Sequence, residues 1–220
     1  MATTKGQRIG IWVIAAFMLF GTIGSFMAII FASKNSQSDA ARLKELTAQY
    51  QDAMTAYQKK VDAQTAELSS RYFEFFSSFQ SRVSAFDAAS VTSLSSQDLQ
   101  VGTGDELNSD SSFSAYYIGW SPSGEVFDSS IKDGALIAPF SVTPGGVITG
   151  WTEGTVGMRV GGVRELSIPS DKAYGETGSG DTIPPNTPLK FVIMVIPTPE
   201  AIESPEMPAE LMQYYQTGRL

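Results

Sequence analysis

The spacing of apolar positions changes several times along this chain, and each change predicts a different element. From Ile9 to Ala32 there are 24 consecutive positions without a charge, rich in Ile, Phe, Met and Ala. As a helix that run reaches about 36 Å, enough to cross a hydrocarbon core of about 30 Å with some tilt. It predicts a transmembrane anchor over 9–33, preceded by a short tail over 1–8. A cleavable signal would have a shorter apolar region, of about 7–15 residues, and a small-x-small exit. The exit here reads Ile30-Phe31-Ala32-Ser33, which argues for an uncleaved anchor. A buried core helix is the competing reading, but nothing nearby offers an apolar surface broad enough to cover it.

The next pattern is helical. From Ser38 to Ala88 there is neither proline nor glycine. Leu43, Leu46, Tyr50, Ala53, Tyr57, Val61, Gln64, Leu68, Tyr72, Phe75, Phe79, Val83 and Phe86 advance in steps of three and four. A seam of that period predicts a long stalk helix over 34–89, about 75 Å if unbroken. Gln64 and Ala53 weaken it as a strict coiled coil. A solvated spacer and a dimerisation stalk both fit. An isolated helix would expose Tyr72, Phe73, Phe75, Phe76 and Phe79, a costly patch in water, so self-association is expected. The same rings could instead hold unfolded clients.

Beyond a Ser/Thr-rich hinge at 90–97, the pattern becomes that of a sheet. Phe113 to Gly119 and Arg164 to Ile168 alternate like half-buried strands, while Lys190 to Ile196 is almost continuously apolar and reads as a central strand. Trp151, Thr155 and Met158 share one face of a short helix expected over Gly150 to Met158. The segment 98–197 is therefore one domain. The remainder, 198–220, is a tail that follows Pro197, carries prolines 199, 205 and 208, and ends in a short helix around Ala209–Thr217.

Charge and composition narrow the chemistry. The net charge is −8 at pH 7, and the segment 98–197 carries −7 of it. Such a domain repels a phosphate backbone, which excludes nucleic acid as a partner. There are no cysteines and no histidines, which removes disulfides, thiol nucleophiles, Cys/His metal sites and Ser-His-Asp triads. Gly102-Thr103-Gly104 and Gly178-Ser179-Gly180 lack the frame of a phosphate loop and read as turns. No metal, nucleotide or organic cofactor is implied. Lys5 and Arg8 precede the apolar run, whereas Lys34, Arg42 and Lys44 follow it. The nearest flanks favour a cytoplasmic N-terminus, with a single-pass chain whose bulk lies outside the cell membrane.

Five motifs stand in a fixed order within 98–197. They are Tyr116-Tyr117-Ile118-Gly119, Val126-Phe127-Asp128-Ser129-Ser130, Gly146-Val147-Ile148-Thr149-Gly150-Trp151-Thr152-Glu153-Gly154, Ala173-Tyr174-Gly175 and Ile183-Pro184-Pro185. Singly they are weak. Trp151 alone would read as core, Asp128 as a turn residue bonding backbone two residues on, and Pro184-Pro185 as a stiff loop entry. The ordered set resembles an FKBP-type peptidyl-prolyl cis-trans isomerase domain, and anchor and stalk together resemble the arrangement of Mip-like and FkpA-like members. The absence of histidine argues against parvulin-type isomerases.

The resemblance implies an α+β fold, a twisted antiparallel sheet wrapped around one short helix. It makes Trp151 the floor under the substrate proline, with Tyr117, Phe127, Val147, Ile148, Phe191, Phe140 and Ile183 as walls. Tyr174 would donate its hydroxyl to the substrate carbonyl, the Ile148 N–H would be a second donor, and Asp128 would contact Tyr117. The implied partners are proline-containing unfolded or nascent polypeptides and macrolide-type inhibitors. Departures lie at the rim, where Ser179, Gly180 and Thr182 stand in place of bulkier groups. Asp133 stands where relatives carry a basic partner for Asp128, leaving Lys132 as its substitute. The expected function is a membrane-anchored isomerase acting on exported or surface proteins. The competing expectation is a non-catalytic holdase or scaffold that binds clients through stalk and pocket.

Overall fold

The computed structural model describes residues 37–218. The expected anchor over 9–33 lies outside the described residues. Among those described, no helix is long and apolar enough to cross a membrane. The elements are α1 (Gln37–Ser77), β1 (Ser95–Gln100), β2 (Phe113–Trp120), β3 (Val126–Ser129), β4 (Ile131–Lys132) and β5 (Ala135–Leu136). They continue with β6 (Phe140–Val142), α2 (Thr149–Gly154), β7 (Val163–Ile168), β8 (Leu189–Ile196) and α3 (Ala209–Thr217). The chain divides into two compact units, one ending at Val61 and resuming at Ala201, the other running from Asp62 to Glu200.

In the first unit, the start of α1 pairs with the returning tail. Arg42 of α1 donates to both carboxylate oxygens of Glu210 on α3, at 3.0 and 3.3 Å. Leu46 and Thr47 of α1 and Leu211 of α3 are buried. The tail helix thus forms at the residues its pattern indicates and packs on the chain rather than trailing free.

In the second unit, an antiparallel sheet runs in the order β1-β7-β8-β2-β3, with β6 pairing the start of β2. β8 is central, aligned from Ser114↔Ile196 to Trp120↔Lys190 with β2 and from Val163↔Met194 to Ile168↔Leu189 with β7. Its nearly continuous apolar sequence follows from burial on both faces. One face carries Ala115, Phe191, Ile193, Val195, Leu166 and Ile168 against Trp151 of α2. The other carries Tyr116, Ile118, Trp120, Val163, Val192 and Met194 against Phe76 of α1.

Two stalk expectations are corrected here. The helix does not continue to Ala88. It gives way at Ser78 to a 3-10 turn through Arg82, and Val83 is already extended. Ser77, Ser78 and Ser81 turn their hydroxyls back onto the carbonyls of Glu74, Phe75 and Ser78, competing with regular helix. The following backbone is captured by the sheet: Trp120 Nε1 donates to Ser84 O at 3.1 Å, and Phe86 N donates to Pro122 O at 3.0 Å. The stalk rings are also not a bare patch. Phe76 is wholly buried, and Tyr72, Phe73, Phe79, Val83 and Phe86 pack against the same cluster. Only Phe75 remains substantially exposed, at 42%. The cost of exposed aromatics, on which the expectations of self-association and client holding rested, is met within the chain.

Candidate active site

The site forms on the α2 face of the sheet, and close glycine approaches set its shape. A Cβ on Gly119 would lie 2.6 Å from the Phe191 ring and 2.7 Å from the Phe127 ring, so the bare backbone of β2 lets both rings settle over it. Gly150 and Gly154 do the same for α2. A Cβ at either would meet Ile168 at 2.3 Å or Leu166 at 2.8 Å. With both bare, the one-and-a-half-turn helix sits down on β7 and drives Trp151 into the domain. The expected helix over Gly150 to Met158 is shorter than its pattern suggested and starts one residue earlier. Thr155 and Met158 are nevertheless buried as that pattern required.

Trp151 is 4% exposed and stands at the centre of an edge-to-face ring cluster. Its ring centroid is 5.3 Å from Tyr117, 5.4 Å from Phe191 and 6.0 Å from Phe140, and Phe127 joins through Phe191 at 5.5 Å. Edge-on contacts of this kind match the quadrupoles of the rings and fix their orientation. Val147, Ile148 and Ile183 pack on the same cluster. Ile183 is held by a closed loop, with paired backbone bonds between Ser179 and Ile183 at 2.8 and 3.1 Å. Gly178 makes that loop possible: its φ is +67°, and a Cβ there would strike Ile183 O at 2.3 Å.

The polar groups stand at the mouth. The Tyr117 hydroxyl donates to Asp128 Oδ2 at 2.5 Å. Burial pushes the Tyr117 phenol up in pKa, and the bond to Asp128 pushes it further. Burial raises Tyr174 as well, with the nearby Asp128 charge adding to it. Both phenols are therefore neutral donors at physiological pH. Among the described residues, no protein group accepts from the Tyr174 hydroxyl, and the Ile148 N–H has no acceptor either. Tyr174 is 38% exposed and Phe140 37%, so this side of the cluster opens to solvent.

All ten residues that the sequence pointed to thus gather at one place. The expected substitution of Lys132 for a basic partner of Asp128 is corrected: Asp128 makes no ion pair among the described residues and bonds instead to Tyr117 and to the Ser129 N–H. The turn bond two residues on belongs to Ser129, whose hydroxyl accepts from Ile131 N at 3.0 Å. No cluster able to hold a metal ion occurs among the described residues.

One contributor was not foreseen. Arg164 on β7 is 8% exposed and lies behind α2. Its Nη1 donates to Gly154 O and Val156 O at 2.8 and 2.9 Å. Nε and Nη2 clasp Asp98 at 2.6 and 3.1 Å. The alternation of β7 placed Arg164 on an inward face, which was the available signal that a charge there must be spoken for.

Comparison with known proteins points to one family. The model of the family described as FKBP-type peptidyl-prolyl cis-trans isomerase matches residues 104–196. The chain is similar to an FK506-binding protein of Neisseria meningitidis serogroup A, 41% identical over 106 residues, spanning 47% of this chain and 94% of that protein. It is similar over a longer stretch to the macrophage infectivity potentiator of Trypanosoma cruzi, 33% identical over 183 residues, 82% of this chain and 81% of that protein. The crystal structure of AtFKBP13 is 35% identical, covering 48% of this chain and 93% of that one with a TM-score of 0.43.

Proposed function

The chain belongs to the FKBP-type peptidyl-prolyl cis-trans isomerases, and from that membership we propose that it is a membrane-anchored folding catalyst for exported or surface proteins. The observation that carries the catalytic part is the pair of unpartnered donors, Tyr174 O–H and Ile148 N–H, at the mouth of a ring-lined pocket. Rotation about an X-Pro bond faces a barrier of about 18–20 kcal/mol because resonance keeps the amide planar. Left alone it takes tens to hundreds of seconds, slow enough to limit folding.

At the twisted transition state conjugation is lost, and the amide is less charge-separated than the planar ground state. A pocket walled by Trp151, Tyr117, Phe127 and Phe191 solvates the planar amide poorly and the twisted one comparatively well. The proline ring sits on Trp151. Tyr174 and the Ile148 N–H donate to substrate carbonyls and hold the peptide while the X-Pro bond turns. Asp128 fixes Tyr117 in place. No covalent intermediate is required, and none of these residues needs to change protonation. Macrolide inhibitors would occupy the same pocket.

The anchor and its sidedness are supported by the uncharged run from Ile9 to Ala32 and by Lys5 and Arg8 before it. The long similarity to the Trypanosoma protein supports a shared plan beyond the isomerase segment. Protease added to intact cells should remove the isomerase domain while sparing the N-terminal tail; a fully protected domain would reverse the orientation. For catalysis, the full chain in mild detergent should accelerate isomerisation in a protease-free peptide assay with varied residues before proline. Trp151→Leu should lower kcat/KM by about ten- to a hundredfold, and Tyr174→Phe by a few-fold. Wild-type rates in both variants would sink the assignment of this pocket. A holdase reading has lost its main motive, since the rings from Tyr72 to Phe79 are largely spent against the sheet.

A further inference from the structure

The pocket floor rides on a helix too short to be stable alone. α2 is six residues long, well under the dozen or so at which an isolated helix becomes even marginal. It carries Trp151, and its first turn starts from Ile148, whose carbonyl accepts from Trp151 N and Thr152 N at 3.0 and 3.3 Å. Floor and backbone donor therefore move with this one turn. Glycines at 150 and 154 let it approach β7, but the missing side chains leave it no interlocking contact there.

We propose that Arg164, clasped by Asp98, is a positioning residue for isomerisation: it locks the C-terminal turn of α2 and through it the Trp151 floor and the Ile148 donor. The inference rests on the isomerase reading above. Four of the five guanidinium N–H donors are committed, two to Asp98 and two to the carbonyls of Gly154 and Val156. The last carbonyls of a helix have no partners within it, and a cation there also suits the helix dipole. Asp98 lies on edge strand β1 directly opposite Arg164, so a bidentate pair ties the helix end to that neighbouring edge of the sheet. Thr155, whose hydroxyl donates to Trp151 O at 2.8 Å, completes the clasp from within. A lysine could supply the charge but not the planar fork that reaches carboxylate and carbonyls together.

The neighbouring position provides the control. Glu165 is equally buried at 8% but faces the opposite side, where it accepts from Arg82 at 2.8 Å and Lys190 at 3.3 Å. Breaking either network strips a buried charge of a more exposed partner; only one of them touches α2.

The test measures kcat and KM separately for the full chain in detergent, with amide hydrogen exchange on the same samples. Arg164→Met should lower kcat about tenfold or more while KM stays within about twofold, since misplacing a floor by a fraction of an ångström weakens the transition state most. Arg164→Lys should recover part of that loss. Exchange at Trp151 and Thr155 amides should quicken, with the β2–β8 ladder unchanged. Glu165→Gln should keep wild-type kcat. If Arg164→Met does not fold, Asp98→Asn gives the reading, with an expected fall in kcat of about threefold. Wild-type kcat in the folded Arg164 variant, or an equal fall in Glu165→Gln, would overturn the inference. Absence of turnover in the unmodified chain would overturn the isomerase reading itself and this inference with it.

Discussion

On one face of the main sheet Tyr117, Phe127 and Phe191 gather round Trp151. On the other, Tyr116, Ile118 and Trp120 close over Phe76. Successive residues of the same strand serve both. The face toward α2 keeps an open edge, with Phe140 and Tyr174 more than a third exposed and two donors without partners. The face toward α1 is sealed, and the stalk backbone is drawn into it through Trp120 Nε1 and Phe86 N. Aromatic richness by itself therefore says nothing about function in this fold. What separates the two faces is whether unsatisfied donors stand at an edge open to solvent.

The largest expected effect comes from removing the seal. A fragment of residues 62–200 keeps the covering segment, whereas one of residues 90–200 lacks Tyr72, Phe73, Phe76, Phe79, Val83 and Phe86. Burying one large apolar side chain is worth about 1.5–3 kcal/mol, so losing this set should cost more than about 5 kcal/mol, comparable to the whole margin of a small domain. Urea unfolding of both fragments checks it. Equal midpoints would mean that the stalk segment only rests on the sheet and the two faces are less different than argued.

A single substitution sharpens the same contrast. Phe76→Ala should destabilise the second unit by about 3–5 kcal/mol, the usual range for emptying a buried phenylalanine site. It should leave kcat/KM per folded molecule unchanged, because Phe76 touches Tyr116 and Phe79 and no ring of the pocket. A fall in turnover matching that of Trp151→Leu would show that the outer face reaches the pocket.

These contrasts also show what the sequence could carry. The pocket was legible because its residues belong to an ordered motif set whose chemistry constrains every member, and Ala209–Thr217 because its pattern is bounded by prolines and Gly218. Alternation along β7 marked Arg164 as inward but named no partner, since Asp98 is sixty-odd positions away and only the β1–β7 pairing brings them together. The end of α1 was illegible for a different reason. Val83 and Phe86 continue the three-four spacing perfectly well, yet the groups that hold the extended backbone there, Trp120 Nε1 and Pro122 O, lie on β2 and in the turn after it. Periodicity reports which side of a segment is buried. It does not report against what, and the choice between a partner chain and this chain's own sheet was left to the tertiary structure.

The smallest expected effect concerns two adjacent tyrosines that point opposite ways. The Tyr117 hydroxyl donates to Asp128, whereas the Tyr116 hydroxyl is buried with no partner. Tyr117→Phe should therefore cost about 1 kcal/mol, a bond to a charge on an exposed carboxylate. Tyr116→Phe should lie within about 1 kcal/mol of wild type, on the stabilising side, since it removes an orphaned polar group and keeps the ring. Alkali separates them further. Burial pushes Tyr116 from the ordinary 10 to about 12. Below pH 10 folded and unfolded chains both keep this proton. Between about pH 10 and 12 the unfolded chain loses it while the folded chain holds it, so stability falls as pH rises through that window. Phenylalanine at 116 abolishes this part of the slope. Urea midpoints taken at pH 8 and near pH 11 should converge for Tyr116→Phe more than for wild type. An unchanged alkaline loss would mean that the Tyr116 hydroxyl finds a partner in solution, and the outer face would then be less completely sealed than its packing indicates.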